Sequence, residues 1–294
     1  MRRLPPDRMY PAGESGVSQR FITIASGIRL RVVEAGSVNA PPVVLVHGWA
    51  CTPWIFHANI PALAEAGFRV IAVELPGHGL SDKPEDPGQY TAESLRDAVI
   101  AALDTLGLPV AAIAGHSMGA SIAVRVADRI PDRVSAVAML SPVGFAGVPG
   151  MSLIRALTPR STEPFLRLLA TRFVIWAMVA VACRARRPTT RDVDEFHAPT
   201  QFPDLIPALR DNLHRYDWRM SFPRLAVPHL VVVGAKDHLS SARNASEWSG
   251  SIDPVIVEGA GHMLLDEKPD LVNRTLIEFF KMPVRGGYIS TQNE

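Results

Sequence analysis

The sequence predicts an α/β domain, a mostly parallel sheet covered by helices on both faces and interrupted by a helical insertion. Three observations carry this reading. Short apolar runs alternate along the chain with stretches of helical period. Those runs are continuously apolar, as in strands buried on both faces. The alternation then stops between residues 144 and 223, where helical patterns broken by prolines carry no convincing strand signal.

The elements follow in order. Residues 1–20 are rich in Pro, Gly and Ser without periodicity and read as a loose leader. Strand signals at 21–24 and 28–33 flank Ser26-Gly27, a hairpin turn. Buried strands are expected at 43–46 and 70–73. Thr91 can then cap a helix that places Leu95, Val99, Leu103 and Leu106 on one face, and Gly107 and Pro109 end it. Further strands fall at 110–114 and 134–140, with a helix-compatible stretch at 121–127 between them. After the insertion come a strand at 229–233, a helix near 242–248, a strand at 255–257 and a closing helix over 269–280. Residues 283–294 are polar and read as frayed. The expected organisation is a leader (1–20), a sheet domain (21–143 and 224–294) and a helical cap (144–223).

Bulk properties narrow the function. A chain of 294 residues buries a full core as one large domain. A net charge of +1 provides no concentrated basic footprint, which argues against nucleic acid as the main partner. Cys51 and Cys183 match no metal or redox spacing and read as free thiols. After Arg2 and Arg3 comes Leu-Pro-Pro-Asp rather than the apolar centre of a signal peptide. The longest apolar run, 173–183, is too short to span a bilayer. These points predict a cytoplasmic enzyme without cofactor or metal.

The chemistry centres on Gly-His-Ser-Met-Gly, residues 115–119. A serine between two glycines, at a strand-to-helix junction, fits a nucleophile elbow, and Gly115 and Gly119 allow strand and helix backbones to approach. A serine hydroxyl needs a base to take its proton and a third group to orient that base. Asp237 follows the strand at 229–233, and His262 follows the strand at 255–257. Parallel strands gather such loops at the carboxyl edge of the sheet. Together with His47-Gly48-Trp49 and Glu74-Leu-Pro-Gly-His-Gly-Leu-Ser81, these motifs resemble the α/β-hydrolase superfamily over about 21–282, in its branch with a cap after the sixth strand.

The resemblance implies a mostly parallel eight-stranded sheet flanked by helices, with Ser117 as nucleophile, His262 as base and Asp237 as orienter. It also implies an oxyanion hole from the backbone N–H groups of Trp49 and Met118. Cys51, Trp176 and Met263 are expected to line the substrate pocket. Blander readings suit other residues. His116 packs or hydrogen-bonds behind the serine, His47 and His78 fix loops, His57 lies on a helix surface, and Asp266 caps or pairs locally. Glu74 stands where many relatives have aspartate, and no role follows from its position. The apolar run 173–183 and the arginines after it read either as a cap helix over the core with a solvated basic end, the favoured form, or as a lid meeting a membrane surface.

One fold hosts many reactions. Epoxide hydrolases and haloalkane dehalogenases use aspartate where Ser117 stands, and epoxide hydrolases add cap tyrosines, whereas this insertion has only Tyr216. Proline iminopeptidases usually carry tryptophan where Met118 stands. The expectation is therefore a serine hydrolase that cleaves an apolar small-molecule ester through an acyl-enzyme. A C–C bond hydrolase or cofactor-free perhydrolase with the same residues, or a ligand-binding accessory protein on this fold, are the alternatives.

Overall fold

A computed structural model describes residues 3–143, 148, 150–219, 223–240 and 253–282. Eight strands form one sheet: β1 (Val17–Thr23), β2 (Arg29–Ala35), β3 (Pro42–Val46), β4 (Arg69–Val73), β5 (Ala111–His116), β6 (Val134–Leu140), β7 (His229–Gly234) and β8 (Val255–Val257). Their order is β1-β2-β4-β3-β5-β6-β7-β8. The β1–β2 and β2–β4 pairs are antiparallel, and the remaining pairs are parallel.

Strand pleating divides the core between two faces. On β3, Val44 and Val46 join Ile71, Ile113 and Val137 under α2 (Ala92–Thr105) and α3 (Met118–Arg129), which contribute Leu95, Val99, Leu103 and Ile122. Val43 and Leu45 point the other way, toward Val70, Ala72, Ala114 and Ala138. There they meet α1 (Ile60–Glu65) and the closing helix α10 (Pro269–Lys281), which contribute Leu63 and Leu276. Both faces of the parallel strands are dry, which is why each strand reads as an unbroken apolar run. The Thr91 hydroxyl accepts from the Ser94 amide and starts α2 as its residue type predicts.

Between β6 and β7 the described chain is helical: α4 (Met151–Leu157), α5 (Glu163–Leu169), α6 (Arg172–Ala182), α7 (Thr190–His197) and α8 (Leu205–Arg215). The short α9 (Leu264–Glu267) precedes α10. The helix expected near 242–248 and the tail at 283–294 lie outside the described residues.

The N-terminal segment corrects the expectation of a loose leader over 1–20. Residues from Val17 onward already belong to β1, and Met9 and Tyr10 are fully buried. The Tyr10 amide donates to Glu195 Oε1 on α7 at 2.8 Å, and the Tyr10 carbonyl accepts from Arg31 Nη1 on β2 at 3.0 Å. Gln201 Nε2 donates to the Leu4 carbonyl, and the Tyr10 ring meets Trp54 edge-on, with centroids 5.7 Å apart. Composition concealed this because the segment is held by its backbone and by one aromatic anchor, neither of which needs periodicity.

Candidate active site

Ser117 sits between β5 and α3 with φ 56° and ψ −119°, a conformation that L-residues avoid. Its amide donates to the Leu140 carbonyl on β6, which helps to hold the turn. A Cβ on Gly119 would lie 2.1 Å from the Val46 carbonyl oxygen, and one on Gly115 would lie 2.1 Å from the Gly119 oxygen. The abrupt turn therefore requires glycine at both positions. It leaves Ser117 facing the cavity beneath the cap.

His262 and Asp237 reach the serine from the ends of β8 and β7. His262 Nδ1 lies 2.9 Å from Asp237 Oδ2, and His262 Nε2 lies 2.9 Å from Ser117 Oγ. An ionised carboxylate only accepts, so the proton rests on Nδ1 and leaves Nε2 free to accept from the serine hydroxyl. Asp237 Oδ1 accepts from the amides of Leu239 and Ser240 at 2.9 and 3.0 Å. Burial alone would raise the Asp237 carboxyl. The hydrogen bond and charge of His262 and the Ser240 amide outweigh it, and the net shift is downward. Asp237 is thus held ionised beside the ring it orients.

The loop carrying His262 is clamped from the cap. Its amide donates to the Ala182 carbonyl at the end of α6, 3.0 Å away. One oxygen of Glu267 accepts from the amides of Arg184 and Ala185, and the other accepts from Gly261 at 2.7 Å. Behind the ring, His116 Nε2 donates to the His262 carbonyl at 2.9 Å. Burial, and then the nearby His262, depress His116 to about 3, so it stays neutral.

Above Ser117 the cap encloses a cavity of about 550 Å³. Its lining is mostly aliphatic, contributed by α4, α5, α6 and α8, and no tyrosine or carboxylate is among the described lining residues. Arg210 brings the one permanent charge to that lining. Trp49 lies at the cavity edge and anchors the loop after β3 by donating its indole Nε1–H to the Leu209 carbonyl of α8, 3.0 Å away. A Cβ on Gly48 would lie 2.9 Å from Ser117 Cβ, which shows how closely this loop approaches the serine. Met118 is the first residue of α3, so its amide has no acceptor within the helix and sits at the positive end of the helix dipole.

The alpha/beta hydrolase fold family matches residues 41–269. The chain belongs to that family. Among its relatives, mouse "Bifunctional epoxide hydrolase 2" is 26% identical over 96% of this chain, which spans 59% of the mouse protein's length. The crystal structure of "Epoxide Hydrolase A" from Mycobacterium thermoresistibile superimposes with a TM-score of 0.75 at 27% identity, covering 90% of this chain and 98% of that one. The enol-lactonase from Burkholderia xenovorans LB400 gives a TM-score of 0.75 at 25% identity, with coverages of 90% and 100%.

In this alpha/beta hydrolase, Cys51 and Met263 line the cavity. Trp176 does not, which corrects its expected place. The helical period turns Ile175, Val179 and Ala182 toward the cavity and leaves Trp176 41% exposed, stacked on Phe173. Because α6 is apolar on both sides, hydrophobicity alone could not say which face is the roof.

The role of Glu74 also emerges. It is fully buried and forms an ion pair with buried Arg31 from β2, while the Ser81 amide donates to Glu74 Oε2 at 3.0 Å. The Leu75 amide donates to His47 Nε2, and His78 Nδ1 donates to the Pro76 carbonyl. These contacts fix the loop after β4 against the loop after β3. The strand-to-loop position of Glu74 was visible in sequence, but its partner lies 43 residues away. His57 stacks on Trp54 with centroids 3.9 Å apart rather than lying on a helix surface. Asp266 pairs with Arg186 of the cap, a tertiary contact in place of the local one expected.

Among the described residues, no group of three or more His, Cys, Asp or Glu side chains is placed to hold a metal ion. A serine hydrogen-bonded to a histidine ring that a carboxylate orients is suited to nucleophilic attack with a proton transferred to the ring.

Proposed function

We propose that this alpha/beta hydrolase cleaves a carboxylic ester of an apolar small molecule through an acyl-enzyme on Ser117. The observation that carries the reading is the unbroken chain of hydrogen bonds from Ser117 through His262 to Asp237. Ser117 Oγ attacks the carbonyl carbon as its proton passes to His262 Nε2. The oxyanion is met by the amides of Met118 and Trp49, each worth roughly a hundred- to thousand-fold in rate. His262 then protonates the departing alkoxide. Water adds to the acyl carbon with His262 as base, and collapse returns the proton to Ser117 and releases the acid. The aliphatic cavity supports an apolar acyl or alcohol group.

The names of several relatives favour a second reading, hydrolysis of an epoxide. Organic chemistry weighs against it at this serine. Attack of Ser117 Oγ on an epoxide carbon would leave an ether, which water and His262 cannot cleave, so the enzyme would stop after one event. A carboxylate nucleophile avoids that trap by forming an ester. Ring opening also benefits from an acid beside the epoxide oxygen. Tyr216, however, is fully buried against Ser121 rather than lining the cavity.

The experiment is turnover of a p-nitrophenyl ester series and an aryl epoxide by the wild type and by Ser117→Ala, with mass spectrometry after fluorophosphonate treatment. We expect multiple turnovers of esters only, one phosphonyl adduct on Ser117, and loss of turnover in S117A approaching a millionfold. Repeated epoxide turnover by the wild type, or ester turnover that survives in S117A, would overturn the reading.

A further inference from the structure

We propose that the outer face of the cap, built from α4, α5 and α6, docks on an anionic lipid surface. This inference rests on surface chemistry alone and does not depend on which bond the active site cleaves.

The cap has two apolar sides. Its inner side roofs the cavity, through residues such as Ile175 and Val179. On its outer side Leu153, Leu157, Leu168, Phe173 and Val181 are 63%, 65%, 73%, 74% and 68% exposed. A helix apolar all round belongs in a core or in lipid, and α6 has a core on one side only. Trp176 and Phe173 stack together on the outer side, and aromatic side chains favour the boundary between lipid and water. Monomeric soluble proteins rarely leave large apolar patches bare.

The charge on these helices names the occupant. From residue 151 to 187 the chain carries Arg155, Arg160, Arg167, Arg172, Arg184, Arg186 and Arg187 against a single carboxylate, Glu163. Arg172 and Arg186 are paired with acids from outside the stretch. Arg167, Arg184 and Arg187 are exposed, and none of them is ion-paired with a described carboxylate. Exposed apolar side chains interleaved with arginine match lipid with anionic headgroups. A second copy is a poorer match, because a two-fold contact would set this basic face against itself.

Geometry sets the mode of binding. Among the described residues, no single helix is long and apolar enough to cross a bilayer. The two stretches Arg160–Leu169 and Arg172–Ala182 are apolar enough together but meet at 93°. They can lie in a headgroup region, and they cannot run straight through a hydrocarbon core. Ile154, Leu169 and Met178 are exposed on this face and also line the cavity, so the docked surface adjoins the path to Ser117.

The test is co-sedimentation of the full chain with vesicles of phosphatidylcholine alone, or of equimolar phosphatidylcholine and phosphatidylglycerol. We expect binding to the mixed vesicles that is at least about tenfold weaker without phosphatidylglycerol, or in roughly 1 M salt. The triple variant Leu157→Ser, Leu168→Ser, Phe173→Ser should lose binding, and Arg167→Glu should weaken it. Both variants should keep the wild-type melting temperature, since all four side chains are exposed. Equal binding to both vesicle types, no binding to either, or unchanged binding by the triple variant would overturn the proposal. So would light scattering without lipid that finds a dimer dissociated by the triple variant, because the face would then belong to a second copy.

Discussion

Asp237 holds the His262 ring by one oxygen while its other oxygen is fixed by two backbone amides. Asparagine could keep the shape, yet it would present either an amide N–H or a neutral oxygen to Nδ1. The tautomer that leaves Nε2 free to accept would then lose its ionic support. We therefore expect Asp237→Asn to lower kcat on an ester substrate about ten-thousandfold. Its melting temperature should change little. A loss of less than tenfold, read by steady-state kinetics, would remove Asp237 from the catalytic role. At this scale the candidate constellation was legible, because Ser117, Asp237 and His262 each follow an apolar strand in a short loop, and the three side chains do meet. Trp176 was not legible, since a 3.6-residue period identifies two faces of a helix without saying which one meets the cavity.

The loop after β4 shows how a buried charge shapes an element. Glu74 accepts from Arg31 and from loop amides, so one carboxylate sets the path of residues 75–81. Its oxygen also lies 1.9 Å from where a Gly79 Cβ would be, which makes glycine necessary there, at φ 47°. Removing one partner of a buried pair leaves the other charge unanswered, at a cost of about 3–5 kcal/mol. Glu74→Ala should therefore lose stability on that scale in urea denaturation. Glu74→Leu combined with Arg31→Met should recover much of the loss, because no unpaired charge remains. A single variant within about 0.5 kcal/mol of wild type would show that the pair is dispensable. Sequence patterning found the strand and the glycines here but not the ion pair, since no local rule links positions so far apart.

Across the whole molecule, buried titratable groups set a pH response. His47, His78 and His116 are depressed to about 4, 3 and 3, chiefly by burial, from an ordinary value of 6.5. As pH falls below about 6.5 the unfolded chain takes up protons that the folded protein refuses, so stability is lost on that side. Glu195 acts in the opposite direction. Burial raises it to about 7 from 4.5, against Arg191 and the Tyr10 amide. Its contribution is therefore full below about 4.5 and lost as pH rises through about 7. Three histidines outweigh one glutamate between these limits. We expect the urea midpoint to fall from pH 6.5 to pH 5, and more steeply in Glu195→Gln, where the opposing group is gone. A midpoint that holds or rises toward pH 5 would contradict this balance.

Sequence patterning supplied the sheet and the interrupted alternation but missed the buried N-terminal segment, and that segment bears on how the cavity exchanges its contents. The Tyr10 backbone is shared, its amide bound to α7 of the cap and its carbonyl to β2 of the sheet. A cap joined to the sheet by chain connectivity alone could swing as one body. The Tyr10 link, the bond from Trp49 to the Leu209 carbonyl and the Glu267 bonds to Arg184 and Ala185 fasten it at further places, much as added fasteners stop a hinged plate from swinging. Fastened so, the cap is expected to admit a molecule to the cavity at Ser117 by local yielding of its helices rather than by wholesale opening.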